Sequence, residues 1–521
     1  MIDPSAGTGT GTGTVADTDT DTDTDTDTDT DTDADTDTGT GTVPALTRAP
    51  DAPPAVGSNR WYLSSAPILR SLIHLCIPMA AAMIVSALYN VVNAGFLGSL
   101  HDSALLAAIT LGTPMLALVM AVGGIFGVGG GALISRKLGE GERDPAAAQG
   151  IKHVSAFSFW GAVISGALVA TAGLLFLDPL VTLLGADAAT APATREYATV
   201  MLIFVPVLAA AFCLEQLVRA EGAAKQVMIG LIAATAMNVL FDIVFILVLP
   251  WGVAGAALSM GLANLILVGY FATWLHRNSA HVRLAPRWFT LSPDVLRPVF
   301  GIGVGELLQA AFMILTTLVL NNLAAGHGEQ ALAAMGIGVR IAQVPEFLVM
   351  GITIGVLPLL AYTYGKGDRA RLSAALRASG ISVAAVVVLF SAVVFLFREP
   401  LLGLFTADPA VLLIGVTVLT AQLVATLANG CTGLLKSLFQ AAGRVTPTIV
   451  LSIVQGVLFL PIVFVGNLWF GLAGIIWALT ISEALVLVAA LVLWLLARAG
   501  IQRGLAEGSE ERAEAVLAEQ D

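Results

Sequence analysis

Asn238 and Asp242 are the residues best placed to do chemistry, because they interrupt an apolar run from about Gln226 to Leu249. A carboxylate halfway along a membrane-spanning helix is costly to bury and by default marks an ion or proton site. On a helix the two side chains lie one turn apart on the same face. An amide and a titratable carboxylate are thus presented together, a pair able to take up and release a proton or another cation. The alternative is a packing carboxylate, kept protonated or paired with a base from another helix.

Other polar residues sit in apolar runs as well. Glu306 follows the glycine-rich Gly301-Ile302-Gly303-Val304-Gly305 and shares a helix face with Gln309. Glu346 comes after Arg340 and Gln343, at a spacing that pairs Arg340 and Glu346 poorly on one helix, so each is expected to find partners elsewhere. Glu215 precedes Arg219 by four residues, which favours a local pair. Glu483 lies in the last apolar segment. Enzyme chemistry finds no foothold: there is no HExxH and no Gly-x-x-x-x-Gly-Lys-Ser/Thr. Gly127-Val128-Gly129-Gly130-Gly131-Ala132 follows no strand and reads as helix packing. Cys76, Cys213 and Cys431 have no metal-ligand or CxxC spacing and read as small buried hydrophobes. No catalytic residue, metal, ATP or nucleic-acid partner is expected.

The elements that must carry these residues follow from composition. The chain has 521 residues, 57% hydrophobic and 12% charged, with a mean hydropathy of +0.86. Soluble domains carry about 25% charged residues, so an all-α membrane protein is expected. The net charge of −12 arises from the N-terminus: 13 of the 37 acids fall within residues 1–51, leaving 24 acids against 24 bases. Residues 1–58 are Gly-Thr and Asp-Thr repeats followed by Pro and Ala, with almost nothing to bury, and are expected to be disordered. The first apolar segment begins near Ile68 and is too long for a cleavable signal.

A span needs about 20 residues, and twelve segments qualify. Their cores lie near 70–97, 104–134, 154–177, 197–218, 227–249, 253–275, 297–322, 331–361, 378–397, 411–435, 446–466 and 472–496. Bases concentrate on alternate connections, among them Arg136, Lys137, Arg143, Arg283, Lys366, Arg371, Lys436, Arg444 and Arg498; the opposite connections hold only Arg195 and Arg398. The positive-inside rule then places both termini in the cytoplasm.

The chain also repeats at about 220 residues. Leu138-Gly139-Glu140-Gly141 recurs as Tyr364-Gly365-Lys366-Gly367, Ala220-Glu221-Gly222 as Ala441-Ala442-Gly443, and Gly252-Val253-Ala254-Gly255 as Gly471-Leu472-Ala473-Gly474. Six spans per repeat predict two bundles related by a pseudo-two-fold axis along the membrane normal, with a cavity between them. The expected organisation is a tail at 1–58, an N-lobe at 59–277, a linker at 278–296, a C-lobe at 297–498 and a charged tail at 499–521. The second half replaces the Asn/Asp pair by apolar residues around Phe459 to Ile462, so the chemistry is expected to concentrate in the first half.

The residues resemble those of the MATE (multidrug and toxic compound extrusion) family of secondary transporters, nearest its DinF-like branch. The resemblance covers about residues 66–498. It rests on Ile77-Pro78, on Tyr89-Asn90-Val91-Val92-Asn93-Ala94-Gly95, on Arg219-Ala220-Glu221-Gly222, on Asn238 to Asp242 and on Ala361-Tyr362-Thr363-Tyr364-Gly365. It implies a multidrug exporter of amphipathic or cationic organic compounds at the cytoplasmic membrane, working by alternating access against H⁺ or Na⁺ and without another cofactor. It implies coupling through Asp242 and Asn238, with Asn93 where relatives carry a first-span aspartate. Met260 stands where relatives often carry threonine, with Ser259 beside it. Tyr89, Ser259, Glu306, Gln309 and Glu346 are expected to line the substrate cavity, Pro78 to act as a hinge, and the protein to work as a monomer in the bilayer. The competing readings are a lipid-linked saccharide flippase of the same superfamily, and further off a membrane scaffold or membrane-embedded enzyme.

Overall fold

An apolar run in lipid can satisfy its backbone only within itself, and each expected span is helical. The computed structural model describes residues 54–99, 103–188, 190–403, 405–406 and 408–518, without the side chains of 90–110, 321, 325, 329 and 507–518. The Asp-Thr repeats, and with them most of the expected tail, lie outside the described residues.

The first six long helices are α1 (Ile68–Ser99), α2 (Ser103–Glu140), α3 (Ile151–Leu175), α4 (Ala191–Ala220), α5 (Ala224–Asp242) and α6 (Gly252–Asn278). The next four are α7 (Pro293–Ala325), α8 (Glu329–Gly365), α9 (Arg369–Leu396) and α10 (Pro409–Ala441). The last helical stretch, Val445–Ala518, is broken by non-helical backbone at Gly471, with φ 58° and ψ −135°. It is therefore two spans, α11 (445–470) and α12 (472–518). Eleven described helices are long and apolar enough to cross a membrane, and dividing the last gives the expected twelve.

Glycines mark the repeat in three dimensions. Gly252 and Gly471 both take positive φ, as do Gly222 and Gly443, conformations that cost glycine little and other residues much. In the second lobe the backbones after Gly471 come so close that a Cβ on Gly474 would strike the Gly466 carbonyl. The first-lobe counterpart is looser: a Cβ on Gly255 would sit 2.9 Å from the Phe245 carbonyl oxygen.

Within the first bundle α4 packs on α2, α3 and α6, while α5 is held between α1 and α6. In the second, α10 takes the place of α4, packing on α8, α9 and the last helical pair. The bundles meet where α1 crosses α8, where α2 crosses α7 and where α2 crosses α8. This last crossing is symmetric: a Cβ on Gly139 would strike the Tyr362 carbonyl, and a Cβ on Gly365 the Arg136 carbonyl.

Polar contacts fasten the same end. Glu142 pairs with Lys366 at 2.5 Å and accepts from the Tyr362 hydroxyl. Arg143 donates to the Gly365 carbonyl. Arg371, on α9, donates to the carbonyls of Leu63 at 3.0 Å, Ala66 at 2.7 Å and Tyr62 at 3.0 Å. The guanidinium thereby clips the short helix Asn59–Ser64, at the start of the first lobe, onto the second. The lobes are closed at the end that carries the basic connections.

One expectation needs correction. Charge pattern puts Lys436 on a basic connection, but it lies inside α10, which continues to Ala441. A partly exposed anion on α7 holds it there, as described next.

Candidate functional site

Asn238 and Asp242 are both buried, each 6% exposed, on the last turns of α5. The α-helix ends at Asp242 and passes into a wider π-helical stretch, Ile243–Val248, a distortion frequent at functional sites. Tyr89 on α1 donates its hydroxyl to the Asn238 amide oxygen. Ser259 on α6 lies within hydrogen-bonding reach of the Asp242 carboxylate and donates to the Gly255 carbonyl at 2.8 Å. One hydroxyl proton thus serves two acceptors. Asp242 has no ion pair among the described residues.

Tyr197, at the start of α4, is the member that the sequence does not reveal. It is 4% exposed, lies within electrostatic range of Asp242 as Tyr89 does, and rests its ring on Gly112 of α2. Its neighbours Arg195 and Glu196 make the segment look interfacial, and only packing across helices shows its position. The site therefore gathers groups from α1, α4, α5 and α6. Asn93 lies on α1, with its side chain outside the described residues. Pro78 sits within α1 and leaves it continuous.

The remaining expected cavity residues divide between the lobes. Tyr89 and Ser259 belong to the Asp242 site. Glu306 pairs with Lys436 at 2.8 Å and accepts from the Gln440 amide at 2.8 Å, while Lys436 also donates to Gln309. In the register of the Gly222 and Gly443 turns, Lys436 occupies the place of Glu215. Glu215 itself is paired with Arg219 on its own helix.

Gln309 and Glu346 line a separate cavity of about 940 Å³ inside the second lobe, together with Arg340, Gln343, Gln455 and Glu483. The second lobe thus holds polar groups of its own beside those expected in the first half. The acids that line the cavity lie on α8 and α12 rather than at the counterparts of Asn238 and Asp242, which are the buried Phe459 and Val463. Arg340 and Glu346 were expected to find partners on other helices; neither makes an ion pair or hydrogen bond among the described residues. Among those residues, no group of three His, Cys, Asp or Glu side chains could hold a metal ion.

Two six-helix bundles with buried polar groups at mid-span define a polytopic membrane transporter. The MatE family profile matches residues 78–244 and 302–465, and the chain belongs to that family, whose members are transporters rather than enzymes. The multidrug export protein MepA of Staphylococcus aureus (strain MRSA252) is 33% identical over 438 residues, 84% of this chain and 96% of the relative. The protein of the same name from Staphylococcus saprophyticus is 32% identical over the same shares. Among solved structures, a MATE transporter in the bent conformation superposes with a TM-score of 0.77 at 22% identity, covering 87% of this chain and 99% of the other. An outward-facing multidrug resistance MATE transporter of the MOP superfamily superposes at 0.76 and 23% identity, covering 85% and 98%.

Proposed function

We propose that the protein is a multidrug efflux antiporter. It exports amphipathic or cationic organic compounds across the cytoplasmic membrane in exchange for H⁺ or Na⁺, with Asp242 as the coupling group and both termini cytoplasmic. The observation that carries the reading is a buried carboxylate with no base partner among the described residues, surrounded by hydroxyl and amide groups from four helices. The kinship with proteins named as multidrug exporters supports the substrate class.

The groups around Asp242 indicate how its charge is felt elsewhere. An ionised carboxylate competes with the Gly255 carbonyl for the Ser259 proton. A protonated one donates its own proton and releases Ser259 to the backbone. The Tyr89–Asn238 bond ties α5 to α1, the helix that contains Pro78 and packs on α8 of the other lobe. A change at Asp242 thus reaches a helix that joins the lobes, and a ligand moves an equilibrium only through such differential contacts. Protonation removes a charge from a low-dielectric site and favours α1 bending at Pro78; deprotonation favours binding of a cationic substrate. The protein works as a monomer.

The test is ethidium efflux in reconstituted vesicles with the pH and Na⁺ gradients imposed separately. Asp242→Asn is expected to lower gradient-driven efflux on the order of 100-fold, within the range by which one positioned proton-transfer group changes a rate. Efflux by the variant equal to that of the parent would sink the coupling role.

A further inference from the structure

The connection between α6 and α7, residues 279–292, joins the two lobes at the end that carries the basic connections. It is fastened to the start of α3. Ser155 donates to the Arg283 carbonyl at 3.0 Å and accepts from the Arg283 amide at 3.1 Å. The Trp160 indole donates to the Leu284 carbonyl at 2.9 Å, and His153 Nδ1 donates to the Trp288 carbonyl at 2.9 Å. A single helical turn, Pro286–Trp288, is thereby held against the helix.

That turn gathers positive charge with no counter-ion. Lys152 Nζ lies 4.0 Å from the centroid of the Trp288 ring, and the Arg287 guanidinium carbon 5.4 Å. Lys137 of α2 reaches toward them: its Nζ stands 3.4 Å from where a Cβ on Gly150 would lie. None of the three bases pairs with an acid among the described residues. The acids that follow Lys137 in the chain are engaged elsewhere. Arg136 holds Glu140 at 3.3 Å, Lys366 holds Glu142, and Asp144 caps the short helix Pro145–Gln149. Cation–π contact accounts for each base singly, but two cations gathered on one indole repel each other. The Trp288 indole N–H is also buried without an acceptor among the described residues. An unmatched donor costs free energy that a ligand's acceptor recovers. Two cations and an N–H donor around one ring are the complement of a phosphate group.

The surroundings favour a lipid as the bearer of that phosphate. Trp belongs at the level of the headgroups in a membrane protein. Beyond Trp160, one and two turns further along α3, Ile164 and Leu168 are 48% and 66% exposed. They offer an acyl chain an apolar stripe beside the bases, which a free phosphate would not use.

We propose that Lys152, Arg287 and Trp288 form a binding site for the headgroup of an anionic phospholipid, its phosphate held by the two bases and its acyl chains lying along α3. The inference goes beyond the export reading and rests on one part of it, the placement of this end in the cytoplasm, where the leaflet is negatively charged. The lipid would then be seated on the covalent joint between the lobes.

Titration of the purified full-length protein in neutral detergent with phosphatidylglycerol or phosphatidylcholine, read by native mass spectrometry as occupancy of the first bound lipid, tests it. The parent is expected to bind phosphatidylglycerol tighter by on the order of 10-fold or more. Lys152→Gln/Arg287→Gln is expected to remove that preference, with phosphatidylcholine affinity changed less than about 3-fold. Arg369→Gln/Arg377→Gln removes two exposed bases from α9 and is expected to leave the preference in place. Equal affinity for the two lipids in the parent, a preference retained in Lys152→Gln/Arg287→Gln, or an equal loss in Arg369→Gln/Arg377→Gln overturns the proposal. Displacement of the lipid by millimolar inorganic phosphate would assign the site to a soluble anion and overturn it too. Lipid occupancy in detergent does not depend on transport, so the export reading stands or falls separately on vesicle efflux.

Discussion

The two lobes share one backbone plan and differ in where they keep their charge. The first buries an acid on α5, at Asp242, among hydroxyls and an amide, in a compact site with no base among the described residues. The second carries Phe459 and Val463 at those positions and places Glu346 and Glu483 on α8 and α12, around an open cavity. The turn and crossing glycines recur in both lobes, at positive φ or where a Cβ would meet backbone. The mid-span polar residues differ between the lobes. The first lobe holds a small buried polar site, and the second a larger lined space.

The difference extends to the ion pairs on α4 and α10. Glu215 and Arg219 are neighbours on one helix with side chains only 10% and 4% exposed, whereas Glu306 and Lys436 join two helices with side chains 27% and 12% exposed. Breaking a buried pair leaves an uncompensated charge and costs about 3–5 kcal/mol. Arg219→Met is therefore expected to destabilise the protein by about that amount in detergent unfolding. Lys436→Met is expected to cost about 1–2 kcal/mol, because Glu306 keeps water and its bond from Gln440. Equal losses in the two variants would contradict the distinction between the lobes.

The hairpin glycines give the next largest contrast. Gly474→Ala forces a methyl group into the Gly466 carbonyl, while at Gly255 the nearest atom is 2.9 Å away. Overpacking of this kind costs about 1–3 kcal/mol, so the thermal midpoint is expected to fall further for Gly474→Ala than for Gly255→Ala. The reverse order would mean that α11 and α12 can separate at their turn.

A contrast that appears only with pH concerns the turn after α4. Burial pushes the Glu221 carboxyl up to about 7, against the hydrogen bond from Ser279 and the nearby charges of Arg60 and Arg283; its second-lobe counterpart is Ala442. The folded chain holds this proton up to about pH 7, whereas the unfolded chain releases it near 4.5. Stability is thus lost as pH rises between those values and is level above them. Glu221→Gln is expected to match the parent at pH 4 and to exceed its stability at pH 8 by on the order of 3 kcal/mol. An unchanged difference across that range would refute the buried-acid account.

Much of this is legible in the sequence. The twelve spans follow from apolar runs, and Gly471 is readable as the partner of Gly252 at the break between the last two spans. Asp242 and Asn238 declare themselves because a polar pair inside an apolar run has a local signature. Tyr197 does not, since its place beside Asp242 depends on how α4 lies against α2 and α5. The second-lobe cavity escapes for the same reason: Glu346 and Glu483 are far apart in sequence, and no spacing rule measures the distance between helices. Lys436 reads as a loop residue because charge near the end of an apolar run looks like a connection until its partner on another helix is seen.

The crossing of α2 and α8 has a mechanical consequence. Gly139 and Gly365 touch at the pseudo-symmetry axis, close to one end of helices 38 and 37 residues long. At 1.5 Å per residue the far end of α2 lies roughly 50 Å from that contact. A tilt of about 5° there would carry the opposite end through about 4–5 Å of arc over that length. The two glycines act as a fulcrum, and a displacement too small to break their contact is enough to change the width of the mouth at the other end.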